Sequence, residues 1–226
     1  MTEALKSVGP IARDSVEDRV AYALRELIVT GQLPEGTPLV QRDLAERLGV
    51  SQTPIRLGLT ELERAGLVEV GETGRATVSR LTREDFEEIY ATRLGLEGLA
   101  ARVGVAAMGA AELAEMRKLL AELERLARDQ DVDGYLRARW EFHATCYEAA
   151  RRPRLFAEVE RLFWRAERYN RIVLSSRERF RRSVGHYKRF YEACKAGDPR
   201  AAERVIHDST QWAVETVAEL LPVEGS

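Results

Sequence analysis

Apolar residues recur at helical spacing along most of this chain, interrupted once by a short alternating stretch. Val20, Leu24 and Ile28 repeat every four residues behind Ser15 and Asp18. That pattern predicts a helix opened by a capping-box arrangement and closed at Thr30-Gly31. Leu44, Ala45 and Leu48 predict a second helix over Gln41–Leu48, stopped by Gly49, which takes a left-handed backbone without steric cost. Ser51 is placed to cap a third, residues 52–65, with Pro54 tolerated in the first turn and Ile55, Leu59 and Leu62 turned inward. After Gly66, residues 67–70 and Ala76–Val78 are β-prone runs joined by a Gly-containing turn. Helix, turn, helix and ribbon together predict a winged helix-turn-helix, whose second helix can lie in the DNA major groove.

Beyond Arg80-Leu81, read as a linker, strand signals stop and helical ones take over. Thr82 and Asp85 cap a long helix to about residue 108. Ala110–Asp129 follows, with Leu113, Met116, Leu120, Leu123 and Leu126 inward. Asp131 or Asp133 opens a helix to residue 150, Pro153 one to about 175, Ser176 one to 196, and Asp198-Pro199 one that ends before Pro222. Six helices with short connections predict an antiparallel bundle. The fold class is therefore mostly α: a mobile arm over 1–14, a winged domain over 15–80 and an all-α six-helix bundle over 82–222.

Composition narrows the function classes. In 226 residues, 45% are hydrophobic and 32% charged, an ordinary globular balance. No apolar run approaches a membrane span, and the first residues lack the apolar core of a signal peptide, so a cytoplasmic protein with no membrane partner is expected. Cys146 and Cys194, far apart in sequence, suggest no disulfide framework. Charge gives no overall basic footprint: residues 1–80 hold 10 Lys/Arg against 12 Asp/Glu. Any DNA-facing surface must come from the placement of a few cations.

At the level of motifs the resemblance is specific. The loop 31–36, the run from Leu44 to Ser51, the run from Thr53 to Arg56 and the run from Leu62 to Leu67 resemble the DNA-binding domain of the GntR superfamily of bacterial transcription regulators. The bundle resembles the effector-binding and dimerising domain of its FadR branch, in the shorter six-helix form of VanR-type members. Arg93 to Glu97, Phe142-His143 and residues 193–198 carry that likeness, with a histidine in the last helix. The resemblance implies Arg42, Thr53 and Arg56 as DNA contacts. Gln52 stands where the family usually has Arg, which favours adenine over guanine. Leu57-Gly58 replaces the usual Glu-Ala, and Gly74-Arg75 inverts the wing's common Arg-Gly, leaving Arg75 to reach a minor groove or phosphate.

The bundle's candidate chemistry centres on three histidines, His143, His186 and His207, each on a different predicted helix with apolar or aromatic neighbours. Converging, they would make a transition-metal site for zinc or nickel; unrelated packing of each ring is the alternative. The resemblance implies metal binding by three His and an Asp one turn before the first, and the Asp position here is Arg139. A guanidinium cannot be a ligand. Three arrangements stay open: the metal is lost and Arg139 receives the effector's carboxylate, three His hold it alone, or another carboxylate completes the shell. Arg93, by resemblance, points at the pocket to hold an acid; an ion pair with Glu97 is its other reading. Tyr90 and Asn170 join the candidate effector contacts, with core packing the alternative for the aromatic ring.

These readings add up to a non-enzymatic, dimeric regulator, most simply a repressor. It would bind an inverted-repeat operator and respond to a small carboxylate effector. A metal-sensing regulator is the alternative, and a metal-dependent hydrolase a remoter one, since no general-base motif accompanies the histidines.

Overall fold

The structure, a computed structural model, describes residues 15–220. The expected arm over 1–14 and the end of the bundle at 222 lie outside the described residues. Contacts divide the chain between Arg80 and Leu81 into two compact units.

The first unit is a winged helix-turn-helix. Helix α1, Val16–Val29, starts at a complete capping box: the Ser15 hydroxyl accepts from the Asp18 N–H and the Asp18 carboxylate from the Ser15 N–H. Helix α2, Gln41–Leu48, ends at Gly49 with φ of 66°, the left-handed turn that aims the chain into α3, Gln52–Arg64. Two local expectations fail. Ser51 has the extended backbone of a cap, but its side chain caps nothing. Leu48 is exposed, because an eight-residue helix lying on α3 needs only Ala45 and part of Leu44 to fill the contact. Strands β1, Val68–Val70, and β2, Ala76–Val78, pair antiparallel with Val68 opposite Val78. The loop before α2 adds an edge that the periodicity does not reveal. The Leu39 N–H donates to the Ala76 carbonyl and the Val78 N–H to the Thr37 carbonyl, so residues 37–39 cover the open side of β2. Val20, Leu24, Ile28, Ile55, Leu59, Leu62, Leu67 and Val78 make one core.

The second unit is the helical bundle: α4 (Arg83–Ala107), α5 (Ala110–Asp129), α6 (Val132–Ala149), α7 (Pro153–Val173), α8 (Arg177–Lys195) and α9 (Pro199–Leu220). Of the two aspartates considered for the α6 cap, Asp131 serves: its carboxylate accepts from the Gly134 N–H, while Asp133 pairs with Arg171. Helix α4 packs on α6, α7 and α9, and α8 packs on α5 and α9. At Gly104 the α4 backbone meets α6 so closely that a Cβ would stand 2.2 Å from the Cys146 carbonyl oxygen. Cys146 and Cys194 are buried free thiols, brought together from α6 and α8; the Cys194 side chain beside it and burial together push the Cys146 thiol well up. Among the described residues no helix is long and apolar enough to cross a membrane.

Candidate functional site: a buried polar cavity and an exposed recognition face

One partly open cavity collects polar residues of the bundle. Helix α4 supplies Tyr90, Arg93 and Glu97, α6 supplies Arg139 and His143, and α8 supplies Ser183, His186, Tyr187 and Phe190. Helix α9 closes it with Ile206, Ser209, Thr210 and Trp212, and α7 contributes Asn170. The steps of three, four and seven residues within α4, α6 and α8 are those that bring side chains onto one helical face. The volume open to the centre of a water molecule is ≈ 50 Å³, room for a handful of waters or a very small organic molecule.

Two hydrogen-bonded chains run along its walls. In the first, Arg93 Nε donates to Glu97 Oε1 at 2.5 Å, and the Tyr147 hydroxyl donates to Glu97 Oε2 at 3.1 Å. Tyr147 also lies 3.3 Å from His143 Nδ1. Its one proton is spent on Glu97, so His143 Nδ1 must be the donor to Tyr147 and Nε2 keeps a lone pair. In the second, Arg139 Nε donates to the Tyr187 hydroxyl at 2.8 Å and Nη1 to Glu167 Oε2 at 3.4 Å. Asn170 Nδ2 also donates to Glu167, at 3.1 Å, and the Tyr90 hydroxyl donates to Asn170 Oδ1 at 2.8 Å. Separately, Arg189 Nη2 donates to His186 Nδ1 at 2.8 Å, which leaves a proton on Nε2 of the neutral ring.

The electrostatics follow from these pairs. Burial lowers the His143 pKa to about 3 and, helped by Arg189 and Arg182, the His186 pKa to about 4, so both rings are neutral at neutral pH. Burial is the largest influence on Arg93 and opposes its charge, but Glu97 and Tyr90 together raise its pKa; for Arg139, Tyr187, Glu167 and Tyr90 together do the same against burial. Glu97 is held ionised against burial by Arg93. Burial raises the Glu167 pKa, only partly countered by Arg139. Arg93 Nη1 and Glu167 Oε1 are buried without any partner.

The geometry brings most, but not all, of the expected bundle residues to one cavity. Arg93, Arg139, Tyr90 and Asn170 all reach the cavity, although Tyr90 and Asn170 spend their hydrogen bonds on each other and on Glu167. His143 and His186 line it as well. His207 does not: it is exposed on α9, and Ser209 faces the cavity instead. At about 100° per residue, positions two apart stand about 200° apart on a helix and cannot share a face. The three histidines therefore do not converge. Among the described residues no three His, Cys, Asp or Glu side chains are grouped to hold a metal ion. The remaining donors fit an ion poorly, since Glu97, the carboxylate acting on His143, is already bonded to Arg93. Guanidinium charges also stand beside both rings, Arg139 and Arg93 by His143 and Arg189 and Arg182 by His186. Glu167, Tyr147 and Tyr187 were missed. Glu167 had a signal, being an acid at helical spacing from Phe163 and Asn170 on the mostly apolar buried face of α7.

In the winged unit, Gln52, Thr53 and Arg56 are exposed on α3. Arg42 is exposed on α2, 3.5 Å from the Asp43 carboxylate, and Arg75 is exposed at the end of the turn between β1 and β2. The five expected DNA contacts are thus all on the surface of one unit, free to meet a ligand.

Comparison with known proteins fits both halves. Residues 16–78 match the model of the bacterial regulatory proteins of the gntR family, and residues 88–211 match the FCD domain. The HTH-type transcriptional regulator McbR of Escherichia coli is 27% identical over 161 residues, 71% of this chain and 73% of that protein. The gluconate operon transcriptional repressor of Bacillus licheniformis is 27% identical over 216 residues, 91% of this chain and 87% of that one. The solved structure of E. coli McbR/YncC superposes with a TM-score of 0.81 at 23% identity, covering 92% of this chain and 99% of that one. With a helix-turn-helix and ribbon at one end and the FCD bundle at the other, this chain belongs to the GntR family of DNA-binding transcriptional regulators.

Proposed function

We propose that this protein is a dimeric repressor acting in the cytoplasm, which binds an inverted-repeat operator and changes its DNA affinity when a small organic acid enters the bundle cavity. The buried Arg93 Nη1, which has no hydrogen-bond partner, carries the effector reading: a buried cationic donor left unsatisfied favours an incoming acceptor. Around it, the Arg139 guanidinium lines the cavity, the His186 ring offers an Nε2 proton, and the His143 Nε2 lone pair would accept from a ligand hydroxyl. The family resemblance to a gluconate operon repressor is consistent with an acid. Arg139, paired to Glu167, takes the place of a metal ligand, so effector binding needs no metal.

A ligand shifts DNA affinity only by binding one placement of the winged units better than another. Two measurements test the reading. The full chain should retard duplex from its own upstream region in a gel, and Arg56→Ala should weaken that complex at least about tenfold, the loss of one good base or phosphate contact. Elemental analysis of untagged protein should find no stoichiometric zinc or nickel. One equivalent of metal, lost in His143→Ala, would overturn the metal-free site.

A further inference from the structure

Helix α3 carries a side chain that neither the core nor the expected contacts explain. Its buried positions are Ile55, Gly58, Leu59 and Leu62, and Gly58 lies against Val20 of α1. At about 100° per residue, Leu57 projects about 150° from the middle of that buried face. It is 46% exposed, pointing almost straight away from the core. Thr53, one turn before, stands on the same side; Arg56 lies about 100° round from Leu57 and Gln52, at the helix start, about 140° round, all three exposed. The nearest acid one turn on, Glu61, is engaged by Arg25 of α1 at 2.8 Å. The outward face of the first two turns of α3 is therefore free of unpaired acidic charge and holds one aliphatic group among donors.

Phosphates and sugars offer an isobutyl group little. In the major groove the base edges present one apolar feature, the C5-methyl of thymine. An exposed leucine gains nothing for folding in water, yet desolvating it against a methyl group is favourable. Gln52, exposed at the start of the same helix but about 140° round from Leu57, has the amide that pairs two-pronged with adenine.

We propose that Leu57 is a specificity-determining residue, packing on the C5-methyl of a thymine while Gln52 reads an adenine, so that each half-site carries an A·T-rich step under the first two turns of α3. This rests on the proposed reading of α3 as the recognition helix.

The experiment uses the full chain and duplexes selected from a random-sequence pool. The tightest duplex is resynthesised with deoxyuridine in place of thymidine, one position at a time. Deoxyuridine keeps base pairing and removes only the methyl. One thymine per half-site should be sensitive, with wild-type affinity falling about fourfold for each methyl lost. Leu57→Ala, at an exposed position that folding does not need, should bind the thymine duplex more weakly and show no difference between thymine and uracil there. Uracil tolerated at every position, or Leu57→Ala as methyl-sensitive as wild type, overturns the proposal. Enrichment of no duplex at all would instead overturn the reading of the chain as a sequence-specific repressor.

Discussion

Arg139 shows how one residue redirects a site. A guanidinium one turn before His143 cannot itself ligate a metal and places a positive charge beside that ring, and the bundle answers with Glu167 on α7 and the Tyr187 hydroxyl on α8. Removing one partner of a buried pair leaves the other charge unpaired, at a cost of about 3–5 kcal/mol. Arg139→Met should therefore destabilise the bundle by about that much, and Arg139→Met with Glu167→Gln should recover most of it. Urea unfolding of the wild type, Arg139→Met, Glu167→Gln and the double variant measures the coupling; effects that simply add would show that the 3.4 Å pair is idle. His143 gives a second test. Its folded pKa, about 3, lies below the ordinary 6.5. The unfolded chain therefore binds a proton that the folded one refuses. Stability from this group is complete above pH 6.5 and drains away as pH falls toward 3. Between pH 7 and pH 5 the loss is about 2 kcal/mol, and His143→Gln should flatten that part of the curve. His186 acts in the same direction, so a smaller slope should survive in the variant.

At the scale of elements, α4 is the spine of the bundle, and its glycines are not equivalent. Gly104 lets the helix approach Cys146 so closely that any Cβ collides with backbone, whereas Gly95 is exposed and has open space around its Cα. Alanine at Gly95 should stabilise by about 0.5–1 kcal/mol, the usual gain of alanine over glycine within a helix. Alanine at Gly104 carries the same propensity gain but forces α4 and α6 apart, and should cost about 1–3 kcal/mol. Thermal unfolding separates the two; a stabilised Gly104→Ala would mean that the helices can slide. The helices themselves were readable because capping chemistry is local: Ser15 with Asp18, Thr82 with the Asp85 N–H, and Ser176 with the Arg179 N–H all close within one turn. Residues 37–39 were not readable as an edge of the wing, since their partners on β2 stand almost forty residues on and no local pattern encodes that pairing.

For the whole molecule, the proposed dimer makes a stoichiometric claim. Two chains should bind one selected duplex, seen as a single complex in sedimentation, and a duplex carrying one half-site should bind at least about a hundredfold more weakly, as tethering of two reading heads requires. Equal affinity for one and two half-sites would mean that the heads act singly. Chelator added before the titration should leave both affinities unchanged if the cavity works without metal.

The sequence by itself determined the elements and their order, because hydrophobic period, caps and glycine stops are properties of a few neighbouring residues. It also determined the family, through motifs that lie within short runs. Only the tertiary structure decided the composition of the site. Whether a histidine faces a cavity depends on the rotation of its helix, and an error of two residues on α9 exchanges His207 for Ser209. Glu167, Tyr147 and Tyr187 belong to the site through contacts made across helices, with partners 28 to 50 positions away. Such pairings arise from packing, and packing is fixed by the whole bundle at once.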